Sequence, residues 1–141
     1  PVHRAAGHFL AEEFPPSSWI ATGNAGLVPY ASRLPAIDMI GLCDAHIASR
    51  DVSSIGRAIA GHGKGDGDYV LRRDPRVILF QQARFSARPL DEQQVAGLLF
   101  SLSERELWND ERFHRRYELV SSRLPGFYFN YFVRRQPREG R

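Results

Sequence analysis

Three short apolar runs, Ile20-Ala21-Thr22, Ala36 to Leu42 and Val77 to Phe80, alternate with helical or polar stretches. That alternation restricts the fold more than any other feature of the chain. Val2, Ala5, Ala6, Phe9 and Leu10 recur at helical spacing until Pro15-Pro16, so an amphipathic helix is predicted to open the domain. Ser18 to Thr22 reads as a strand, Gly23-Asn24-Ala25-Gly26 as the turn that ends it, and Leu27 to Ser32 as a short helix. Ala36 to Leu42 is apolar on both faces, as a buried parallel strand should be. Asp44 to Ala48 predicts a helical turn, and Ser49 to Gly67 a long, glycine-rich polar connection of the kind that more often carries function than idles. Asp66 or Gly67 then caps a helix from Tyr69 to Arg73, which Asp74-Pro75 terminates ahead of a third strand, Arg76 to Phe80. Helix, strand, helix, strand, loop, helix, strand is the order of a parallel α/β core.

The second half has a different pattern. Asp91 to Ser101 predicts a helix with Val95, Leu98 and Leu99 on one side, and Ser103 with Glu106 forms a capping-box pattern ahead of another. Tyr117 to Leu124 and Phe127 to Val133 flank Pro125-Gly126 as an antiparallel hairpin. The expectation is one soluble α/β domain over residues 1–141, in two or three layers, with a mostly parallel sheet and the C-terminal hairpin at one edge. No apolar run approaches the length that spans a bilayer. The chain opens without an initiator methionine or a signal-peptide core, which predicts a segment of a longer protein. The net charge of +3 comes from arginine clusters at Arg72-Arg73, Arg115-Arg116 and Arg134-Arg135, with Arg138 and Arg141 behind them. No nucleic-acid-binding signature accompanies that small excess, so nucleic acid is not expected as a partner. The single cysteine, Cys43, allows no internal disulfide and is expected to sit buried at a strand end.

Polar groups crowd the middle of the chain. Asp38, Asp44, His46, His62, Lys64, Asp66 and Asp68 fall close together, and Lys64 is the one lysine among nineteen basic Lys and Arg residues. Neither HExxH nor CxxC is present for zinc, Lys64 is followed by glycine rather than the Ser or Thr of a P-loop, and no G-x-S-x-G elbow exists. No metal or cofactor is therefore expected. The residues fit a hydrogen-bonded network that pins the long loop over the strand ends, where open α/β sheets also form ligand crevices. Tyr30 and Tyr69 offer ring faces nearby.

The succession Asn24-Ala25-Gly26, Tyr30-Ala31-Ser32, Ile37 to Leu42, Asp44, His46-Ile47-Ala48, Gly61-His62, Lys64, Asp66, Tyr69-Val70-Leu71 and Pro75 resembles the soluble carboxy-terminal region of bacterial polytopic membrane glycosyltransferases. These are lipid-linked-sugar-dependent enzymes of the mannosyltransferase and arabinofuranosyltransferase type. The resemblance implies an extracytoplasmic (periplasmic) domain, not catalytic itself, beside the membrane-embedded portion of its parent. Its ligand would be an acceptor glycan or the headgroup of a lipid-linked sugar, held by Asp38, Asp44, His46, His62, Lys64, Asp66 and Tyr69. Two other classes compete with this reading: a metal-assisted hydrolase using Asp44, His46 and His62, and an interaction module docking through the surface from Phe127 to Phe132.

Overall fold

The two central parallel strands of this domain are buried on both faces of the sheet, every residue of Ile20–Thr22 and of Val77–Leu79 being covered. The computed structural model describes residues 1–50 and 63–137. In chain order the elements are α1 (Val2–Glu13), β1 (Ile20–Thr22), α2 (Leu27–Ser32), β2 (Ala36–Asp38), α3 (Ala45–Ser49), α4 (Gly67–Arg73) and β3 (Val77–Leu79). There follow β4 (Phe85–Ser86), α5 (Glu92–Ala96), α6 (Leu102–Trp108), α7 (Glu111–Arg116), β5 (Tyr117–Leu124) and β6 (Phe127–Arg134). The α/β alternation of the first half is therefore as the sequence predicts.

The sheet is mixed. β1 lies between β2 and β3 and runs parallel to both. β6 then pairs antiparallel with β3 through Val77 with Val133, with β4 through Phe85 with Phe129, and along its other side with β5. The C-terminal hairpin thus closes one edge with β5 outermost. Gly126 holds its turn at φ +86°, the left-handed value that the third residue of a type II turn requires.

Strand alternation sorts the core into two apolar layers. Ile20, Val77, Leu79, Phe129 and Tyr131 face α1 and α2, where Ala6, Leu10 and Val28 meet them. Ala21, Ile78, Phe80 and Phe132 face α4 to α7, against Val70, Leu71, Leu107 and Phe113. The aromatics of β6 are consumed by this packing: Phe129 and Phe132 are buried and Phe127 is half-buried against α1's cluster.

Several boundaries differ from the sequence reading. β2 ends at Asp38 rather than Leu42, because the Asp38 carboxylate takes the N–H groups of Ile40 and Cys43 and turns the chain. Cys43 is consequently exposed, not buried at a strand end. The stretch from Asp91 supports only α5, which carries the capping box, with Asp91 and Gln94 bonded reciprocally. α6 starts two residues earlier than the Ser103–Glu106 pattern implies, with Ser101 as its cap. Part of the arginine excess is neutralised internally, since Arg116 and Arg134 both bond the Asp74 carboxylate.

Candidate functional site

The carboxyl ends of β1 and β2 open onto a cavity of about 210 Å³ lined by Thr22, Ala25, Ala36, Asp38, Cys43 and Asp44. Asp38 is buried, with one oxygen 3.1 Å from Ile40 N and the other 2.7 Å from Cys43 N. Asp44 caps α3 by accepting from Ile47 N at 3.1 Å, while its second oxygen accepts from the Tyr69 hydroxyl at 3.3 Å. Thr22 Oγ1 closes a local turn with Asn24. The cavity is below the usual range for drug-sized ligands and suits a single small ring.

Behind this rim, α3 is tied to α4. His46 Nε2 lies 3.0 Å from Asp66 Oδ2, and the imidazole stacks on Tyr69 with 3.9 Å between centroids and 14° between planes. Asp66 caps α4 through Tyr69 N at 3.0 Å, and its own N–H donates to Ser103 Oγ, which in turn donates to Met39 O at 2.6 Å. Arg50 donates to Gly65 O and pairs with Glu106, and Glu106 accepts from Gly67 N. The glycine-rich approach to α4 is explained by close packing on α6. A Cβ at Gly65 would stand 2.4 Å from Ser103 N, and one at Gly67 would stand 2.7 Å from Glu106 Cβ.

Burial pushes the Asp66 carboxyl up, but the Tyr69 N–H, the His46 hydrogen bond and the Arg50 charge outweigh it and hold the pKa below its ordinary 3.8. A depressed folded pKa means that the unfolded chain binds the proton first. The stabilisation from Asp66 is therefore complete above pH 3.8 and lost as pH falls through the lower folded value. Asp66→Asn keeps a capping side chain and is expected to lack this acid-range loss, as read from urea midpoints measured across that pH range.

The structure links Asp44, Tyr69, His46 and Asp66 through side-chain contacts, and Asp38 meets this group only at the cavity, which it lines with Asp44. Lys64 bonds Ala48 O at the end of α3 instead of facing the cavity. His62 lies outside the described residues. Tyr30 is exposed on α2. His46 turns Nε2 to Asp66 and not to Asp44, and among the described residues no three His, Cys, Asp or Glu side chains are placed to hold a metal ion.

A second polar group, which the sequence reading did not single out, lies where the loops after β1 and β3 meet α6. Glu104 is fully buried and accepts from Gln81 N and Phe100 N, each at 2.7 Å. Burial pushes its carboxyl above the ordinary range despite these bonds and the Arg84 charge. A Cβ on Gly23 would stand 3.2 Å from Gln81 Oε1 and 3.6 Å from Glu104 Oε1, so β1's exit is closely covered. Ser101 and Glu104 repeat the S-x-x-E spacing two residues before the pair noted above, and that duplication was the available signal.

Residues 2–138 match the family described as a domain of unknown function, DUF8728. No curated protein and no solved structure matches the chain.

Proposed function

The chain belongs to the DUF8728 family, and we propose that it serves as a non-catalytic extracytoplasmic domain of a membrane glycosyltransferase, contacting acceptor glycan or the headgroup of a lipid-linked sugar. The observation that carries this reading is the small cavity at the carboxyl ends of β1 and β2, edged by the Asp38 and Asp44 carboxylates. Both residues belong to the succession of short words that resembles the glycosyltransferase region. Each carboxylate is engaged through both oxygens by groups of the domain itself. Such groups hold a rim in shape and keep lone pairs for sugar hydroxyls, a binding role rather than a proton-transfer role.

Titrating the isotope-labelled chain with methyl α-mannopyranoside and methyl arabinofuranoside tests the binding. Saturable amide shifts at Thr22, Asp38, Cys43 and Asp44 are expected. Shifts that never saturate, or that fall on β5 and β6 instead, would remove the sugar reading. The membrane association is read from the gene: apolar segments of spanning length encoded before Pro1 support it, and a start codon there ends it.

A further inference from the structure

We infer that the outer edge of β5 is an interface between two copies of this chain, paired antiparallel about a two-fold axis at Val120. This edge lies across the sheet from β2, whose carboxyl end carries the Asp38–Asp44 cavity, and the inference does not rest on the sugar reading.

β5 runs for eight residues, Tyr117–Leu124, and pairs with β6 in an unbroken register without a bulge. Among the described residues no strand pairs with its other side. The ladder fixes the direction of each backbone group. Arg135 N–H donates to Arg116 O at 2.7 Å, and the bonds of an antiparallel pair fall on alternate residues, so Glu118, Val120, Ser122 and Leu124 bond β6. Leu119, Ser121 and Arg123 therefore turn N–H and C=O outward. Tyr117 turns out its C=O, while its N–H donates to Phe113 O. The serine hydroxyls leave these groups alone: Ser121 Oγ donates to Asn130 Oδ1, and Ser122 Oγ lies 3.1 Å from the Tyr131 hydroxyl, both on β6.

Such a row of donors and acceptors is matched in spacing by another extended backbone. Proteins that keep an edge strand single blunt it with proline, lysine, a bulge or shortness. The other outer strands obey that rule, since β4 has two residues and β2 has three, ending where Asp38 turns the chain. β5 has none of these devices. The apolar layers also reach it half-covered. Leu119 packs at the margin of the α4–α7 layer, and Val120 and Leu124 at the margin of the α1–α2 layer.

The sequence of β5 complements itself in one register. Outward residues must oppose outward residues, and centring the two-fold axis on Val120 uses the strand from end to end. Leu119 then exchanges bonds with Ser121 of the second copy, and Arg123 N–H reaches Tyr117 O of the second copy. Val120 meets Val120 across the axis as a close, non-hydrogen-bonded pair, which covers the half-exposed apolar margin. Glu118 stands opposite Ser122 and Arg123 opposite Tyr117, whereas an axis at Glu118 or Arg123 sets like charges face to face.

Analytical ultracentrifugation of the chain over a range of concentrations, with amide hydrogen exchange at both ends of that range, tests the interface. The mass is expected to rise from one chain to two, and the amides of Leu119, Ser121 and Arg123 to become protected as it does. Those of Val120 and Ser122, already bonded to β6, should change far less. Ser121→Pro removes an outward donor at a position where an edge strand tolerates proline, and Val120→Lys sets like charges on the axis, so each should remain a single chain. If neither variant keeps the wild-type circular dichroism spectrum, exchange in the wild type decides alone. A single chain at every concentration would overturn the interface. So would a dimer that persists in a folded variant, or one protected at Ala36 and Asp38 on β2 instead of on β5.

Discussion

Glu104→Ala is expected to lower the unfolding free energy by about 4 kcal/mol, since two backbone N–H groups lose a buried acceptor at about 1–3 kcal/mol each. Those N–H groups belong to Gln81, just after β3, and Phe100, just before α6, so one carboxylate fastens two segments that are far apart in sequence. Because domains of this size have about 5–15 kcal/mol in hand, the variant should melt far earlier than wild type. The charge itself acts in the opposite direction. With its folded pKa raised by burial above the ordinary 4.5, Glu104 holds its proton longer in the folded state. Its contribution is therefore most favourable below pH 4.5 and declines as pH rises through the folded value. Glu104→Gln should abolish that decline and cost less than alanine, because one oxygen still accepts. Equal losses for the two variants, in urea melts at neutral pH, would show that the carboxylate does not fasten the loops.

Phe80→Ala is expected to cost about 3–5 kcal/mol, the range for removing a large buried aromatic side chain. Phe80 is 1% exposed and contacts rings on three neighbouring elements. Its centroid lies 5.6 Å from Phe113 on α7, 4.9 Å from Phe132 on β6 and 6.3 Å from Trp108 on α6. No single neighbour can collapse into the space without leaving the others. The urea midpoint should fall with little change in slope, and Tyr30→Ala, at an exposed position on α2, should stay within about 0.5 kcal/mol of wild type. A Phe80 loss no larger than that of Tyr30 would mean that the α4–α7 layer is not packed on the sheet as described.

Where local rules suffice, the sequence reading agrees with the structure. The apolar spacing of Val2 to Leu10 becomes α1, Asp66 caps α4 as its position ahead of Tyr69 implies, and the Pro-Gly turn joins β5 to β6. Where two local solutions compete, it does not. The segment from Ser101 to Glu106 offers S-x-x-E twice, and the structure uses Ser101 as the cap because Met39 O and Asp66 N engage the Ser103 hydroxyl. Similarly, the apolar run after Asp38 looks like continuing strand until the Asp38 side chain takes the backbone N–H groups beyond it.

The sequence alone determined most of the helical and extended segments and the apolar faces they hide, though neither α7 nor β4, since periodicity and caps are encoded within a few neighbouring residues. Only the tertiary structure decided which polar groups meet. Lys64 bonds α3 instead of facing the cavity, and Arg84 reaches His3 across the whole first half of the domain. Such pairings follow from distances through space between residues remote in the chain, and hydrogen-bond donors and acceptors carry no periodic mark of their future partners.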